Sequence, residues 1–593
     1  MIAVKPIMRL FHRFKGLADA IARYPLTTIF LLLAAIVNAM DISSEEDYSK
    51  LLLTFVVGAF ISAVVQITYE RFFLQQSSRI LLMTVASVLT VGYYLIIRPA
   101  PQLSMEINIR TAVALFTLLI AFIWVPVIKS RISFNKSFMI VFKSFFNSLF
   151  FSGILYVGIS IIIAAIDQLI YQVDYTVYSH SASIVFILFA PMYFLSLIPV
   201  YPGASNQEKN IEEHEITIGK AAKCPKFLVV LLSYIIIPLI AVFTIILLTY
   251  ILRNITGEFW TDNLLEPMLV SYAITVIIVY ILVSEIENKF TLWFRRIFPK
   301  VLVPIVLFQI ISSIMSLADT GIMHTRYYVI LFGIFAAAAG ILLSFLPVRK
   351  NGLIAPILIV FAVISIVPPV DAFTISRSSQ VNILEEALLK NNMLENNKIK
   401  PNAAIPDSDK EVITKSMNYL VMMNYQRDVE WLPNDYSYDD FYPTFGFYEY
   451  YEPGDNRDMY IHLSLQEKIP MDISEYDTFI RYHLIMENDN NEEIADFEKE
   501  EKHYSLLTKE DNKQVDIILI DENNEELLSI EASEIFKKYY GYHSSKYTIT
   551  PEEATVTKEN DKAKVTFMVQ QINIQKDHEQ YNSAELFIFI KVK

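Results

Sequence analysis

Residues 227–252 read FLVVLLSYIIIPLIAVFTIILLTYIL, a run of 26 residues that contains no charged side chain. As a helix rising about 1.5 Å per residue, the run would extend about 39 Å, more than the roughly 30 Å hydrocarbon core of a bilayer. Soluble globular proteins do not contain continuous apolar segments of this length. The stretch therefore predicts a transmembrane helix in an integral membrane protein.

Similar apolar runs lie on both sides of this segment. They fall near residues 25–40, 51–69, 80–97, 111–128, 144–166, 178–200, 267–284, 301–318, 327–346 and 353–370. Most are close to the roughly 17–25 residues that a membrane-spanning helix needs, and the short first run continues directly from a helical stretch. The sequence predicts a polytopic α-helical membrane protein with about eleven transmembrane helices over residues 25–370.

Composition and charge divide the chain into two unlike halves. Of its 593 residues, 54% are hydrophobic and only 19% charged, which excludes a single soluble globule. Residues 1–370 carry a net charge of +7, whereas residues 371–593 carry −21. We therefore expect a membrane domain over 25–370, followed by an acidic soluble domain over 371–593. Nucleic acid is not an expected partner, because its binding needs clustered Lys and Arg.

The positions of the basic residues predict how the bundle is oriented. An odd number of spans puts the two termini on opposite sides of the membrane. With the N-terminus inside, 21 Lys and Arg residues fall in inside segments and only 5 in outside loops. Membrane proteins concentrate Lys and Arg in their cytoplasmic loops. We expect the N-terminus inside and the C-terminal domain outside, that is, extracytoplasmic.

The leader, residues 1–24, reads as a basic amphipathic interfacial helix. Apolar residues recur at helical spacing between Arg9, Arg13 and Lys15, so the helix would lie in the headgroup layer of the inner leaflet. It would either recognise lipid or act as a collar that sets the topology of the first span; a cleaved signal peptide is the other alternative. The only cysteine, Cys224, lies on an inside loop, so the exported domain has no disulfide.

The acidic half has helices first and strands afterwards. Helical spacing of apolar residues predicts helices over 377–394 and 408–424. Alternating apolar residues then predict strands at 461–465, 516–520, 526–530, 565–569 and 586–592, with 521–525 as the turn of a hairpin. This order favours an α+β domain with an antiparallel sheet.

Four short segments resemble one known family. The amphipathic leader runs into Arg23-Tyr24-Pro25-Leu26, and Thr325-Arg326-Tyr327-Tyr328 opens a late span. DAFTISRSSQ (371–380) follows the last span, and DISEYD (472–477) is similar to a recurrent Ile-Ser-x-Tyr-Asp turn. On these motifs the chain resembles the DUF4153 family of bacterial polytopic membrane proteins, a domain of unknown function. The resemblance implies a protein of the bacterial cytoplasmic (plasma) membrane and cell envelope, and it implies no activity or catalytic residue.

The motifs of soluble enzymes are missing from the sequence. The 15 glycines form no phosphate-binding loop, and the 9 histidines include no pair at metal-ligand spacing on a helix. We expect neither a metal nor a cofactor, and an enzyme is less expected than a binding or scaffold protein.

Two groups of residues are candidate functional sites. Polar side chains at the outer ends of spans could form a carboxylate–imidazole–guanidinium cluster suited to proton-coupled binding or acid–base work, or they could be ordinary interfacial charges: Asp167, His180, Asp319, His324 and Arg326. Residues 436–451 contain nine aromatics in 16 positions, which could stack on a glycan or a partner peptide or form one face of a core: the binding candidates are Tyr438, Tyr442, Phe447, Tyr448 and Tyr450.

Three functions fit these observations. The first is an envelope protein whose exported domain senses, binds or scaffolds, with the helices as anchor and relay. The second is a secondary transporter or channel, since eleven spans exceed what anchoring requires, although no acidic residue lies near mid-span. The third is a membrane enzyme acting on lipid or glycan at the outer face. The expected partners are the lipid bilayer and either cell-wall glycan or another membrane protein.

Overall fold

The computed structural model describes residues 16–593, with short internal gaps. The gaps are 45, 74, 202–207, 255–265, 434–435, 437–439, 451–459, 467–469, 487–491, 512–513, 541, 543–547, 576–577 and 579–580. The chain divides into two compact units, Met1–Ser379 and Gln380–Lys593. Each unit has its own hydrophobic core. Residues 1–15 of the predicted leader helix lie outside the described part, and residues 16–23 are helical.

Among the described residues, eleven helices are long and apolar enough to cross a membrane, which confirms the predicted number. Numbered as spans 1 to 11, they are Pro25–Ser43, Ser49–Phe72, Gln76–Ile97, Met105–Val127, Phe134–Leu169, Thr176–Ser196, Lys226–Arg253, Glu266–Val283, Lys289–Met315, His324–Phe345 and Val348–Ile366. Large apolar side chains remain exposed along most of them, as in Ile96 (78%) and Leu252 (72%). Such a surface is stable when lipid surrounds it.

Polar contacts between span ends agree with strict alternation of direction. We call the side on which span 1 begins the first side and the opposite one the second side. Contacts on the first side join Arg23 to Glu70, Arg71 to Ile128 and Asn351 to Asn135. Contacts on the second side join Ser43 to His180 and Arg110 to Asp371. Each of these pairs joins ends that eleven alternating crossings place on the same side.

Small residues bring spans 9 and 10 into close contact. A Cβ atom on Gly333 would lie 2.7 Å from the Ile310 side chain, and one on Gly340 would lie 2.9 Å from Val303. Ala336 is fully buried in the same stripe. The small residues at four-residue spacing therefore serve packing between two helices of one chain.

Spans 6 and 7 each contain a widened, π-helical turn, at Ile184–Phe189 and Leu231–Ile236. In both spans a proline, Pro191 or Pro238, follows the end of the turn by two residues. A proline has no N–H for the preceding turn and its ring collides with a carbonyl there, so the helix must widen or kink. The Ser148 hydroxyl donates to the Ala190 carbonyl at 2.6 Å and satisfies a backbone group beside the first of these turns.

The second unit begins with helices, as predicted. The junction helix, Ala372–Lys390, runs from the first unit into the second, and Asp407–Met422 follows. The junction helix begins five residues before the predicted start because Asp371 accepts the backbone N–H groups of Phe373 and Thr374, which caps the helix there. Leu384, Leu388, Ile413 and Leu420 are fully buried.

The second unit also contains two large sheets and one two-stranded sheet, and the predicted strands are confirmed. The strands are β1 Leu394–Glu395, β2 Lys398–Ile399, β3 Tyr460–Leu465, β4 Thr478–Ile485, β5 Glu493–Lys499, β6 Lys502–Asp511, β7 Gln514–Asp521, β8 Glu526–Glu531, β9 Thr548–Ile549, β10 Thr555–Glu559, β11 Ala563–Gln575 and β12 Ser583–Val592. One sheet has the order β4-β12-β11-β3-β9, with β10 also paired to β11; the other is the meander β5-β6-β7-β8, and β1 pairs with β2 alone. All pairs are antiparallel except β3 with β9.

The two large sheets share one core. Ile517 and Leu519 of β7 are buried in the same cluster as Phe567 of β11 and Ile588 of β12. Phe567 lies directly opposite Ile588 in the sheet register. Since alternate residues of these strands face the same side, the apolar set of each sheet is buried against the other.

Candidate functional site

The chain leaves span 11 through Pro368, Pro369 and Val370 and enters the junction helix at Asp371. Asp371 is fully buried. Its Oδ1 accepts the backbone N–H of Phe373 at 3.0 Å and that of Thr374 at 3.2 Å. This is the geometry of a helix N-cap, in which a short acidic side chain satisfies N–H groups that the helix leaves unpaired.

Arg110, in the first turns of span 4, also binds the capping residue Asp371. Its Nη2 donates to Asp371 Oδ1 at 2.7 Å, and its Nε donates to Glu106 at 2.8 Å. The guanidinium also lies 4.8 Å from the centre of the Phe373 ring and donates to the Ile366 carbonyl. One arginine thus bonds the last residues of span 11 and the first of the junction helix.

The surroundings keep the Asp371 carboxylate ionised. Burial alone would raise the pKa of Asp371, but hydrogen bonds from Thr374 and the charge of Arg110 outweigh it and hold the pKa below the ordinary value. A buried carboxylate is tolerated only when such partners replace the water it has lost.

The start of span 10 completes the group. His324 is 4% exposed, and its ring stacks on Phe373 with 6.0 Å between centroids. Arg326, also buried, donates to Thr320 Oγ1 at 2.9 Å. We call Arg110, His324, Asp371 and Phe373 the junction cluster. It brings together the segments around 325–328 and 371–380 on which the family resemblance depends.

The predicted polar residues lie in different surroundings. His324 stacks on Phe373, and Arg326, two residues later in span 10, donates to Thr320 Oγ1. His180 instead contacts Ser43 at 3.2 Å, and exposed Asp167 accepts the Val173 N–H at 2.7 Å in the turn after span 5. Asp319 belongs to the short helix Leu317–Thr320, and its side chain lies outside the described part.

Arg110 and Asp371 were not among the predicted site residues, although each leaves a signal in the sequence. Asp371 follows a proline pair and precedes a helical pattern, which is typical of an N-cap. Arg110 lies four residues after Glu106 and directly before the apolar run at 111–128, and charges at the edge of a span are functional candidates. Their partnership joins residues 261 positions apart and requires the fold.

The contacts of the junction cluster hold the start of the junction helix in place. His324 is covered by Phe373, and Oδ1 of Asp371 accepts from two backbone N–H groups and a guanidinium. In the described part of the chain, no three His, Cys, Asp or Glu side chains are grouped as metal ligands would be. The arrangement therefore suits holding the first turn of the junction helix against spans 4 and 10.

The aromatic segment 436–451 separates into core and surface. Phe441, Phe445 and Phe447 are buried, and residues 441–445 form a short helix. Tyr442 and Tyr448 are 48% and 42% exposed and stack on each other with 4.5 Å between ring centroids. Predicted Phe447 thus belongs to the core, Tyr450 is half-buried, and Tyr438 lies outside the described residues.

A second aromatic group lies on the outer face of the sheet. Phe587 and Phe589 of β12 point away from the core that Leu586 and Ile588 fill. Phe479 of β4 is 50% exposed and lies 5.2 and 5.4 Å from these two rings, and Tyr476 lies 5.5 Å from Phe589. We call Tyr476, Phe479, Phe587 and Phe589 the sheet-face cluster. A strand with apolar residues on both faces departs from the usual half-polar pattern. Of the two outer-face rings of β12, Phe589 is buried beneath its neighbours at 4% exposure and Phe587 is half-buried.

Comparison with known proteins identifies one family. The family described as a domain of unknown function (DUF4153) matches residues 26–402, nearly two thirds of the chain. The matched region begins one residue into span 1 and contains the other ten spans and the junction cluster, and most of the β-rich unit lies beyond it. Searches of curated proteins and of solved structures found no match to this chain.

Proposed function

The chain belongs to the DUF4153 family, and on that premise we propose that it is a cell-envelope protein whose C-terminal domain binds or senses a component outside the plasma membrane. The helical bundle anchors this domain and relays its state. The buried junction cluster is the observation that best supports a relay. A flexible linker is enough for an anchor, whereas here a buried ion pair fixes the helix that leads into the C-terminal unit.

The distribution of charge supports this orientation. The 21 basic residues on first-side segments, against 5 on the second side, favour a cytoplasmic first side. The C-terminal domain would then face outward in a bacterial plasma membrane.

The sheet-face cluster is the proposed contact surface. Phe479 is exposed and Tyr476 and Phe587 are half-buried, so these three rings supply flat apolar area. The Lys564 ammonium lies 5.2 Å from the centre of the Tyr476 ring and adds a charged group at one edge. Aromatic faces of this kind stack on sugar rings and on apolar side chains. Cell-wall glycan or another envelope protein is the ligand class that fits this surface.

A cysteine-labelling experiment tests the orientation with the chain's own thiol. Cys224 is the only cysteine and is half-buried on the first side. In intact cells, a membrane-impermeant maleimide should label Ser474→Cys, an exposed position in the C-terminal unit, and leave Cys224 unlabelled until the membrane is opened. The reverse pattern would contradict the proposed topology.

A complementation experiment tests the function. Cells that lack the gene are challenged with osmotic shock, detergent and wall-degrading enzyme, and then receive the full chain or one of four variants. Deletion of 391–593, Arg110→Gln, and Phe479→Ser with Phe587→Ser should each fail to restore resistance. Arg98→Gln, at an exposed arginine on the same side, should restore it. Full rescue by the chain lacking 391–593 would overturn the proposal.

A further inference from the structure

Spans 1, 2, 4 and 6 enclose a cavity of about 260 Å³ within the membrane bundle. Its walls are apolar side chains, including Leu31, Ala63, Phe122 and Phe186. Thr27 is the polar wall residue, and its hydroxyl bonds to Ser62 at 2.8 Å. Water gains little from such a space, because it would find few hydrogen-bond partners there.

The cavity is long and reaches the bundle surface. On span 2 its walls run from Val56 to Val64, a distance of about 12 Å along a helix. Val56, Phe60 and Val64 are half-buried and recur every four residues, and Phe186 is 39% exposed. Because the walls of the slot are partly exposed on the surface of the bundle within the hydrocarbon region, lipid acyl chains can contact them directly.

Residues of the widened turn in span 6 form part of this slot. Phe186 and Ile187 belong to the widened turn Ile184–Phe189, and Pro191 also lines the space. Across from them, Ala59 and Ala63 supply little volume. The slot therefore follows from a proline-associated turn facing small residues, and π-helical turns occur frequently at functional sites.

A charged group lies at the first-side end of the slot. Arg23 pairs with Glu70 through two hydrogen bonds of 2.8 and 2.7 Å and also donates to the Ile198 carbonyl at 2.7 Å. Gln66 donates to Glu70 at 2.8 Å and accepts from Arg79 Nε at 3.1 Å. We call Arg23, Gln66, Glu70 and Arg79 the entrance group.

The slot and the entrance group share the same helix faces. On span 2, Ala59, Ala63, Gln66 and Glu70 recur at four- and three-residue spacing, so they line one face. Arg23 lies one turn before Thr27 of span 1, and Ile198 lies three residues after Leu195 of span 6. At spans 1, 2 and 6 alike, the residues of the polar contacts lie nearer the first side, and the apolar residues that line the slot lie deeper in the bundle.

The entrance group carries excess positive charge. It has two guanidinium groups and one carboxylate, and the carboxylate is taken by Arg23 and Gln66. Arg79 is half-buried, and its Nη1 has no hydrogen-bond partner among the described residues. A guanidinium with a free donor beside an apolar slot matches a phosphate joined to an acyl chain.

We propose that this site binds an anionic phospholipid from the leaflet on the first side, with one acyl chain in the slot and the headgroup phosphate on Arg79. The lipid site is independent of what the C-terminal domain binds. No covalent step is involved: the lipid occupies the space and ties spans 1, 2, 4 and 6 together.

Photolabelling tests the site in the full chain. The protein is reconstituted in nanodiscs containing phosphatidylglycerol or phosphatidylcholine with a diazirine on one acyl chain, and labelled peptides are mapped by mass spectrometry. We expect labelling to concentrate on 56–64 and 186–195 with phosphatidylglycerol. Ala63→Phe, which fills the slot, should reduce labelling of these two peptides about tenfold. Ala112→Phe, the same change at an exposed position of span 4, should leave it unchanged.

The charged end is tested separately. Arg79→Gln should remove the preference for phosphatidylglycerol over phosphatidylcholine, a change of about tenfold, and Arg349→Gln, at an exposed arginine on the same side, should preserve it. Ala59→Val is the milder filling variant if Ala63→Phe does not fold, with folding followed by gel filtration. Uniform labelling of all lipid-facing spans, equal in wild type and filled variants, overturns the proposal. Equal labelling by the two lipids in the wild type overturns the phosphate contact.

Discussion

The sharpest test of the junction cluster is to remove Arg110 and Asp371 one at a time. Arg110→Gln leaves a fully buried carboxylate without its counter-charge. Asp371→Asn leaves a guanidinium that is 24% exposed and still paired with Glu106. The two variants break the same 2.7 Å contact, but they leave different groups without that partner: the first leaves the Asp371 carboxylate and the second leaves the Arg110 guanidinium. Their effects on stability should therefore differ strongly.

The expected magnitudes follow from burial. Removing one partner of a buried ion pair typically costs about 3–5 kcal/mol. Asp371 keeps the N–H groups of Phe373 and Thr374, so we place Arg110→Gln near the low end, at about 3 kcal/mol. Asn caps a helix about as well as Asp, and the remaining Arg110 reaches solvent, so Asp371→Asn should cost about 1 kcal/mol. Arg98→Gln, an exposed change, should stay within about 0.5 kcal/mol.

Thermal unfolding of the full chain in one detergent, followed by loss of the gel-filtration peak, ranks the variants. The expected order is wild type and Arg98→Gln together, then Asp371→Asn, then Arg110→Gln. The double variant Arg110→Gln/Asp371→Asn should be more stable than Arg110→Gln alone, because it no longer contains a buried carboxylate without a counter-charge. If Asp371→Asn were as damaging as Arg110→Gln, the cost would come from the lost contact and not from the buried charge, and the reasoning would be refuted.

Three further predictions concern acid, packing and the aromatic segment. The folded pKa of Asp371 lies below its ordinary value, so the carboxylate contributes stability above about pH 4 and loses it as the pH falls further; the gap in unfolding temperature between wild type and Asp371→Asn should shrink under acid, and a constant gap would contradict this. Gly340→Leu should cost at least about 1–3 kcal/mol through overpacking against span 9, whereas Gly92→Leu, with open space around it, should be nearly neutral in the same assay. Phe445→Ala should cost about 3–5 kcal/mol and Tyr448→Ala under about 1 kcal/mol, because only Phe445 is fully buried.

Long apolar runs predict the membrane half well because each span follows from local composition. The run at 227–252 matches Lys226–Arg253, and the other ten spans match in order. The widened turns at Ile184–Phe189 and Leu231–Ile236 were not predicted, although Pro191 and Pro238 are their visible causes. A proline within a span signals a break in the hydrogen-bond ladder without saying whether the helix kinks or widens.

The candidate site was only partly predictable because its main contact is not local. His324 and Arg326 are recognisable as charges at a span end, but nothing in the sequence links Arg110 to Asp371. The sheet-face cluster was missed for a related reason. Phe587 and Phe589 lie in a strand that is apolar on both faces, and Phe479 joins them only after β4 pairs with β12. The residue pattern of one strand does not say which residues of another strand lie opposite it, and this register decides which side chains meet.

The two best-connected ion pairs of the bundle lie at its opposite ends. Arg23–Glu70 is on the first side, where span 1 begins, and Arg110–Asp371 is on the second side, where the chain leaves span 11. A buried ion pair adds little stability over an apolar replacement, but a misplaced partner is strongly unfavourable. Such pairs therefore exclude wrong arrangements more than they strengthen the right one. Between them, spans 9 and 10 pack through Gly333 and Gly340, which specify close approach but little else. The ion pairs at the two ends of this bundle therefore fix where the chain enters the first span and where it leaves the last one. The apolar residues between them serve helix packing and the proposed lipid site.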